Sequence, residues 1–355
     1  PAGAVVAVVC IALVLLCWVG IELLVGHAYP VVQVLLTNIQ VLAIIASFDL
    51  RWTRTLRHLQ TALSIVDFDV DFVSPSCLGT WSETSSHLLQ LLLPFLFTAV
   101  CGLFHAGRAV LRREALDAAD VGRSMAAHFV LITMTVFHTL TIRCFQAFSC
   151  TPFPDETRYM THLISVECWS NSHMLIVALS SLYIAFVLVL TPAYSFLSLR
   201  WHIRNHSLHS PLAVRMWGWM HSSYEAEWKL WEAVMLFRRF AVALISVLGT
   251  PLIKAALTIV TLTAMLAAHV WARPFINARV DQLDFCSICG TILFTLLGML
   301  LYPNITEQGQ RWGCTEGDWG EKCRSESTVK AVVAGLALAL ALLTIVVSLT
   351  LAFFV

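Results

Sequence analysis

The sequence predicts an all-α, polytopic integral membrane bundle of about nine transmembrane helices with its N-terminus outside. Composition is the first reason. Of 355 residues, 58% are hydrophobic and 12% charged, whereas soluble domains carry roughly a quarter charged residues. Length is the second. Crossing the hydrocarbon core takes about 20 apolar residues in a helix, and nine runs approach or meet that length. Backbone chemistry is the third, because peptide groups in lipid must bond within their own segment, which makes such runs helical.

The expected spans are Ala4–Val25, Val31–Phe48, Leu88–Val110, Met125–Ala147, Met174–Phe196, Ala233–Leu248, Ile253–Trp271, Phe285–Tyr302 and Ala331–Leu351. The connections are too short for a soluble domain, so residues 1–355 read as a single transmembrane domain. Both ends fall in apolar runs without a signal-peptide pattern, and the expectation is the membrane portion of a longer protein. Lys plus Arg and Asp plus Glu each number 22, so no basic excess points to nucleic acid.

Orientation follows the positive charges. Arg108, Arg112, Arg113 and Arg123 follow the third span; Arg200, Arg204, Arg215 and Lys229 follow the fifth; Arg273 and Arg279 follow the seventh. These links alternate onto one side, taken as cytoplasmic, and put the N-terminus outside and the C-terminus inside. Arg51, Arg54 and Arg57 run against the scheme and are outweighed. Residues 199–230 become a cytoplasmic link. Residues 303–328 become an outer loop, rich in acidic residues and bearing the glycosylation sequon at Asn304. A second sequon at Asn205 falls inside and is expected to stay unmodified.

Residues 51–84 read as an outer interfacial segment. Trp52, Leu56, Leu59, Leu63 and Val66 recur at helical spacing. The period then drops to two, with Asp67, Asp69 and Asp71 alternating with Phe68, Val70 and Phe72. The acidic triplet is a weak divalent-cation candidate, set against a solvated acidic face. An EF-hand is excluded, because Phe72 stands where the loop needs glycine and Leu78 where it needs glutamate.

Of eleven cysteines, Cys10, Cys17, Cys101, Cys144, Cys286 and Cys289 lie in or beside spans and read as small hydrophobes. Those on the outer face suit an oxidising compartment. Sequence proximity pairs Cys314 with Cys323 and then Cys150 with Cys168, leaving Cys77 odd.

Polar side chains at membrane depth are costly and mark candidate function. Glu232, Arg238 and Arg239 open the sixth span, with about ten apolar residues left before Gly249, roughly half the hydrocarbon thickness. Two readings stand: an interfacial anchor with snorkelling arginines, or a polar element facing a water path, gate or lipid site. Glu232 and Arg239, seven apart, share a helical face. His138 lies mid-span among Thr133, Thr135, Thr139 and Thr141, suited to an interhelical hydrogen bond or, as the minority reading, an ion path.

Several segments resemble a known family. These are Ala46-Ser47-Phe48-Asp49-Leu50-Arg51-Trp52, the outer stretch ending at Cys77, the run Tyr224 to Arg239 with its Trp-Glu and Arg-Arg pairs, and Ala268-His269-Val270-Trp271-Ala272-Arg273-Pro274-Phe275 followed by Asn277 and Asp281 to Asp284. Together they resemble the transient-receptor-potential-like (TRP-like) C-terminal membrane region, as in fungal flavin-carrier and polycystin-like proteins. Protist and algal members carry EGF-like or ephrin-receptor-like ectodomains. The resemblance implies cation conduction, often calcium-linked, or transport.

The leading expectation is thus a cation channel or channel-like transport protein. The alternatives are a non-conducting anchor or signalling portion of a receptor or adhesion protein, and a transporter or lipid-handling bundle. An enzyme is not expected: HExxH, GxSxG, P-loop and intramembrane Asp-pair patterns are missing. No cofactor is expected. The partners are membrane lipids and cations, with a homo-oligomer open. The location is the plasma membrane or another secretory-pathway membrane.

Overall fold

A computed structural model describes residues 29–48, 50, 52, 56, 83–111, 118–153, 157–301, 335 and 339. The first expected span, the ninth apart from residues 335 and 339, Asp67, Asp69, Asp71, Cys77, Asn304, Cys314 and Cys323 lie outside the described residues, as does most of the 51–84 segment. In chain order the helices are α1 (Tyr29–Ala46), α2 (Glu83–Leu111), α3 (Ala118–Thr135), α4 (Phe137–Gln146), α5 (Asn171–Tyr183), α6 (Thr191–Arg204), α7 (Pro211–His221), α8 (Trp231–Ser246), α9 (Pro251–Ala272) and α10 (Ala278–Leu301). Among the described residues four helical segments are long and apolar enough to cross a membrane: His87–Phe104, Asn171–Arg204, Pro251–Ala272 and Ala278–Leu300. The bent pair α3–α4 makes a fifth if it is one span, and Pro30–Ala46 is a shorter apolar helix.

The chain gathers into two compact units, one taking the described residues from 83 to 240 and the other residues 29–56 and 241 onward. In the first, α2 and α3 pack along each other and α7 lies against α3. Its core joins Leu91, Met134, Phe137, Leu140, Trp217 and Leu236. The fifth span extends further than its hydropathy suggests. α5 passes into α6 through a π-helical stretch, Ile184–Leu190, giving 34 continuous residues. At 1.5 Å per residue that is about 50 Å, well beyond the hydrocarbon core. Pro192 follows the π stretch. It has no N–H to give the preceding turn, which favours a widened local geometry there. Ser210 caps α7 by accepting from Ala213 N–H at 3.3 Å, with Pro211 at the first helical position. The 199–230 link is therefore largely helical.

Between α4 and α5 the chain forms a three-stranded antiparallel sheet, β1 (Cys150–Pro152), β2 (Arg158–Met160) and β3 (Leu163–Glu167), in sequential order. Cys150 and Cys168 are joined as a disulfide, Cα–Cα 6.4 Å, tying β1 to the end of β3. Ala147, Met160, Val166 and Ile176 pack around it.

In the second unit α10 packs against both α1 and α9. α9 ends where Arg273 turns left-handed, φ 42°, just before Pro274. The chain after α1 folds onto α10: Trp52 Nε1–H donates to Phe48 O at 2.9 Å, and its indole stacks on Phe294 at 5.0 Å. Gly298 makes this approach fit. A methyl there would collide with the Trp52 ring and meet Leu50 Cδ1 at 2.9 Å. Gly298→Ala should therefore destabilise the protein by about 1–3 kcal/mol, read from the denaturant midpoint in detergent. Gly122→Ala, where the added carbon meets nothing within 4 Å, should be neutral or stabilising.

Candidate functional site: a buried ion pair at a broken helix

The fourth expected span is not one straight helix. α3 and α4 meet at Val136 with a bend of 66°, and Val136 sits at φ −96°, ψ 14°. The stretch from Leu131 to Thr141 holds neither Pro nor Gly, the usual causes of a sharp kink. Two other features act here. Thr135 Oγ1–H donates to Leu131 O at 2.8 Å and Thr141 Oγ1–H to Phe137 O at 2.7 Å, four-residue back-bonds that bend helices. From outside, Arg239 Nη1–H donates to Met134 O at 2.7 Å. A side chain inserted at a backbone carbonyl is a recognised way to break a helix, and a cation suits a helix C-terminus.

Arg239 is itself held. Its Nη2–H donates to Glu232 Oε1 at 3.0 Å. The other carboxylate oxygen, Oε2, accepts Tyr224 O–H at 2.9 Å. Glu232 is 1% exposed, Tyr224 2% and Arg239 4%. Two α8 residues seven apart thus close a charge pair, a residue ahead of α8 orients the carboxylate, and the free fork of the guanidinium reaches a carbonyl 105 residues away. Arg239 Nε has no protein partner.

Arg238 and His138 are also buried. His138 Nε2 lies 3.0 Å from Thr139 Oγ1 just past the break. The hydroxyl of Thr133, the amide of Gln90 and the Tyr183 hydroxyl are buried in this unit without a protein partner. His87 Nε2 lies 3.4 Å from Ser180 Oγ, adding to polar groups shared by α2 and α5. In the 199–230 link, burial first, then Lys229 and His209, hold the His221 imidazole below its ordinary range.

The residues singled out from sequence divide accordingly. Glu232 and Arg239 come together. Arg238 lies buried beside them in sequence, and His138 lies past the break. Sequence reading missed the roles of Tyr224 and Met134. Tyr224 was visible as part of the Tyr…Trp-Glu run, whereas a backbone carbonyl carries no residue-type signal.

One convergence of metal-ligating residue types occurs among the described residues: Cys150, Cys168 and His173. Its chemistry is structural. The sulfurs are bonded to each other. His173 Nδ1 accepts Trp169 N–H at 3.0 Å, leaving Nε2–H to donate to Ala147 O, also at 3.0 Å. Both ring nitrogens are used, and the imidazole ties the end of α4 and the turn after β3 to the start of α5.

Comparison with protein-family profiles, with curated proteins and with solved structures finds no match to this chain.

The Glu232–Arg239 pair should behave as a buried pair. Removing either charge strands the other, a loss of about 3–5 kcal/mol. Arg239→Leu and Glu232→Leu should each lose that much, measured by thermal or denaturant unfolding in nanodiscs. The double variant Glu232→Leu/Arg239→Leu should lose less than the sum, giving a coupling of at least about 1 kcal/mol.

Proposed function

We propose that this chain is the membrane domain of a TRP-like protein that passes cations, as a channel or a channel-like transporter. The observation that carries the proposal is a helix broken at membrane depth and held by a buried Arg–Glu pair. Non-helical backbone at that depth is tolerated where it is enclosed by protein or lines a water-filled cavity. Ionisable groups there mark ion and substrate pathways. The partnerless polar atoms of Gln90, Thr133 and Tyr183 in the same unit favour a hydrated interior, because polar groups buried without partners are costly. The TRP-like resemblance of the Tyr224–Arg239 run supplies the cation class. On this reading the nine-span, N-outside arrangement puts the 199–230 link in the cytoplasm and residues 303–328 outside.

A second reading, a transporter, is favoured by the same break, since discontinuous helices build midplane substrate sites in transporters. Planar-bilayer recording of the purified full chain separates the two. A channel gives unitary currents proportional to driving force; a transporter gives none but supports saturable uptake. Arg239→Lys keeps the charge and loses the two-armed fork, so it should alter cation conductance or open probability while the protein still folds. Silent wild-type protein in bilayers of varied lipid composition would refute conduction. Unchanged currents in a folded Arg239→Lys protein would remove the pair from the path.

A further inference from the structure

The long helix running through α5 and α6 keeps an exposed apolar face over most of its length. Leu175, Leu182, Phe186, Leu190, Leu197 and Trp201 are all exposed. The rise from Leu175 to Trp201 is about 39 Å, against about 30 Å of hydrocarbon. At the mean tilt of about 20° this face still spans about 37 Å of depth, a surplus of about 7 Å that falls among headgroups. The polar run Ser170-Asn171-Ser172-His173 stands just before Leu175 and holds that end at its own interface. The surplus therefore lies at the α6 end.

That end carries a compact cluster. Leu197 and Trp201 are one turn apart, and Arg200 and Arg204 follow them by three residues each, so the four side chains are neighbours on the helix surface. Leu197 is 67% exposed and Trp201 59%, and both arginines are exposed. The Trp201 indole meets the His202 ring at 4.9 Å. His202 Nδ1 lies 2.8 Å from Ser207 Oγ, so the exposed indole is backed by the α6–α7 turn. α7 packs beside α6, with Tyr194 edge-on to Trp217 at 5.9 Å. No Asp or Glu occurs between Glu167 and Glu225, a stretch that holds Arg200, Arg204 and Arg215. α3, which also packs on α6, has one acid, Asp120, and one arginine, Arg123. Tryptophan settles at headgroup level in membranes, and arginine meets phosphate oxygens with two parallel N–H donors.

We propose that the Arg204 end of α6 is a binding site for an anionic phospholipid. Arg200 and Arg204 hold the phosphate, and an acyl chain runs along the face of Leu197 and Trp201. A zwitterionic headgroup would bring its own ammonium against the arginines, so a net negative headgroup is favoured. The site is separate from the Glu232–Arg239 pair and stands whether or not the protein conducts.

The test uses the full chain in nanodiscs of phosphatidylcholine with a minor fraction of phosphatidylserine. A photoreactive benzophenone side chain replaces Leu197 in one protein and Leu175 in another. Both positions are exposed, so neither replacement disturbs the core. After illumination the attached lipid is identified by its mass. At Leu197 phosphatidylserine should be captured above its share of the membrane, by about fivefold for each arginine that meets its phosphate. At Leu175 capture should follow the membrane composition. Arg200→Gln/Arg204→Gln should lower capture at Leu197 to that same level. Capture at the membrane share from the Leu197 position, cross-linking there to a second protein chain, or enrichment that persists in the double glutamine variant overturns the site. Inorganic phosphate that abolishes the enrichment, where chloride of equal ionic strength does not, assigns the arginines to the free ion and overturns the lipid. The comparison of Leu197 with Leu175 decides the point even if the double variant does not fold.

Discussion

A full charge inside a membrane protein must be neutralised and hydrogen-bonded locally, because lipid supplies neither function. In the first unit that constraint is met by three contacts in series: Tyr224 to Glu232, Glu232 to Arg239, and Arg239 to the carbonyl of Met134. The last contact couples electrostatics to shape. One arm of the guanidinium bonds a helix carbonyl two residues before Val136, where α3 meets α4 and the axis turns by 66°. The ion pair is buried, so its net contribution to stability against an apolar replacement is small. Its weight lies in geometry: it specifies where the helix breaks and keeps the break attached to α8.

The second unit places a histidine and a carboxylate opposite each other across the α9–α10 turn, His269 Nδ1 lying 3.3 Å from Asp284 Oδ2. The polar stripe Asp284, Ser287, Thr291 and Thr295, all buried, runs along α10 from that contact.

Much of the helical layout was legible because apolar run length is a direct physical requirement of the bilayer. Val31–Phe48 corresponds to α1 at Tyr29–Ala46, and Ile253–Trp271 to α9 at Pro251–Ala272. Elements that depend on other physics were hidden. The extension of the fifth span to Arg204 is amphiphilic and polar at its end, so hydropathy stopped at Phe196. The β1–β3 sheet uses strands of three to five residues, too short for a clear alternation. The break at Val136 lacks Pro and Gly and rests on a contact from a residue 105 positions away. At the site, the seven-residue spacing of Glu232 and Arg239 was readable as a shared face, but the acceptor was a backbone atom. His269 and Asp284 were visible within the Arg273-Pro274 motif. Their pairing depends on the left-handed turn at Arg273, which the Arg-Pro sequence hints at without fixing.

The central claim is that Arg239 holds the break between α3 and α4 in its bent form. Spin labels at the ends of α3 and α4 farthest from the break, at Gly122 and Gln146, report that bend as a distance in nanodiscs. Glu232→Leu/Arg239→Leu removes both charges together, so no ion is left stranded. The account predicts that the distance lengthens or broadens markedly in this variant, as the two segments straighten or lose a fixed angle. An unchanged, equally narrow distance in the folded variant would show that the break is set by the Thr-rich backbone alone, and the account would be wrong.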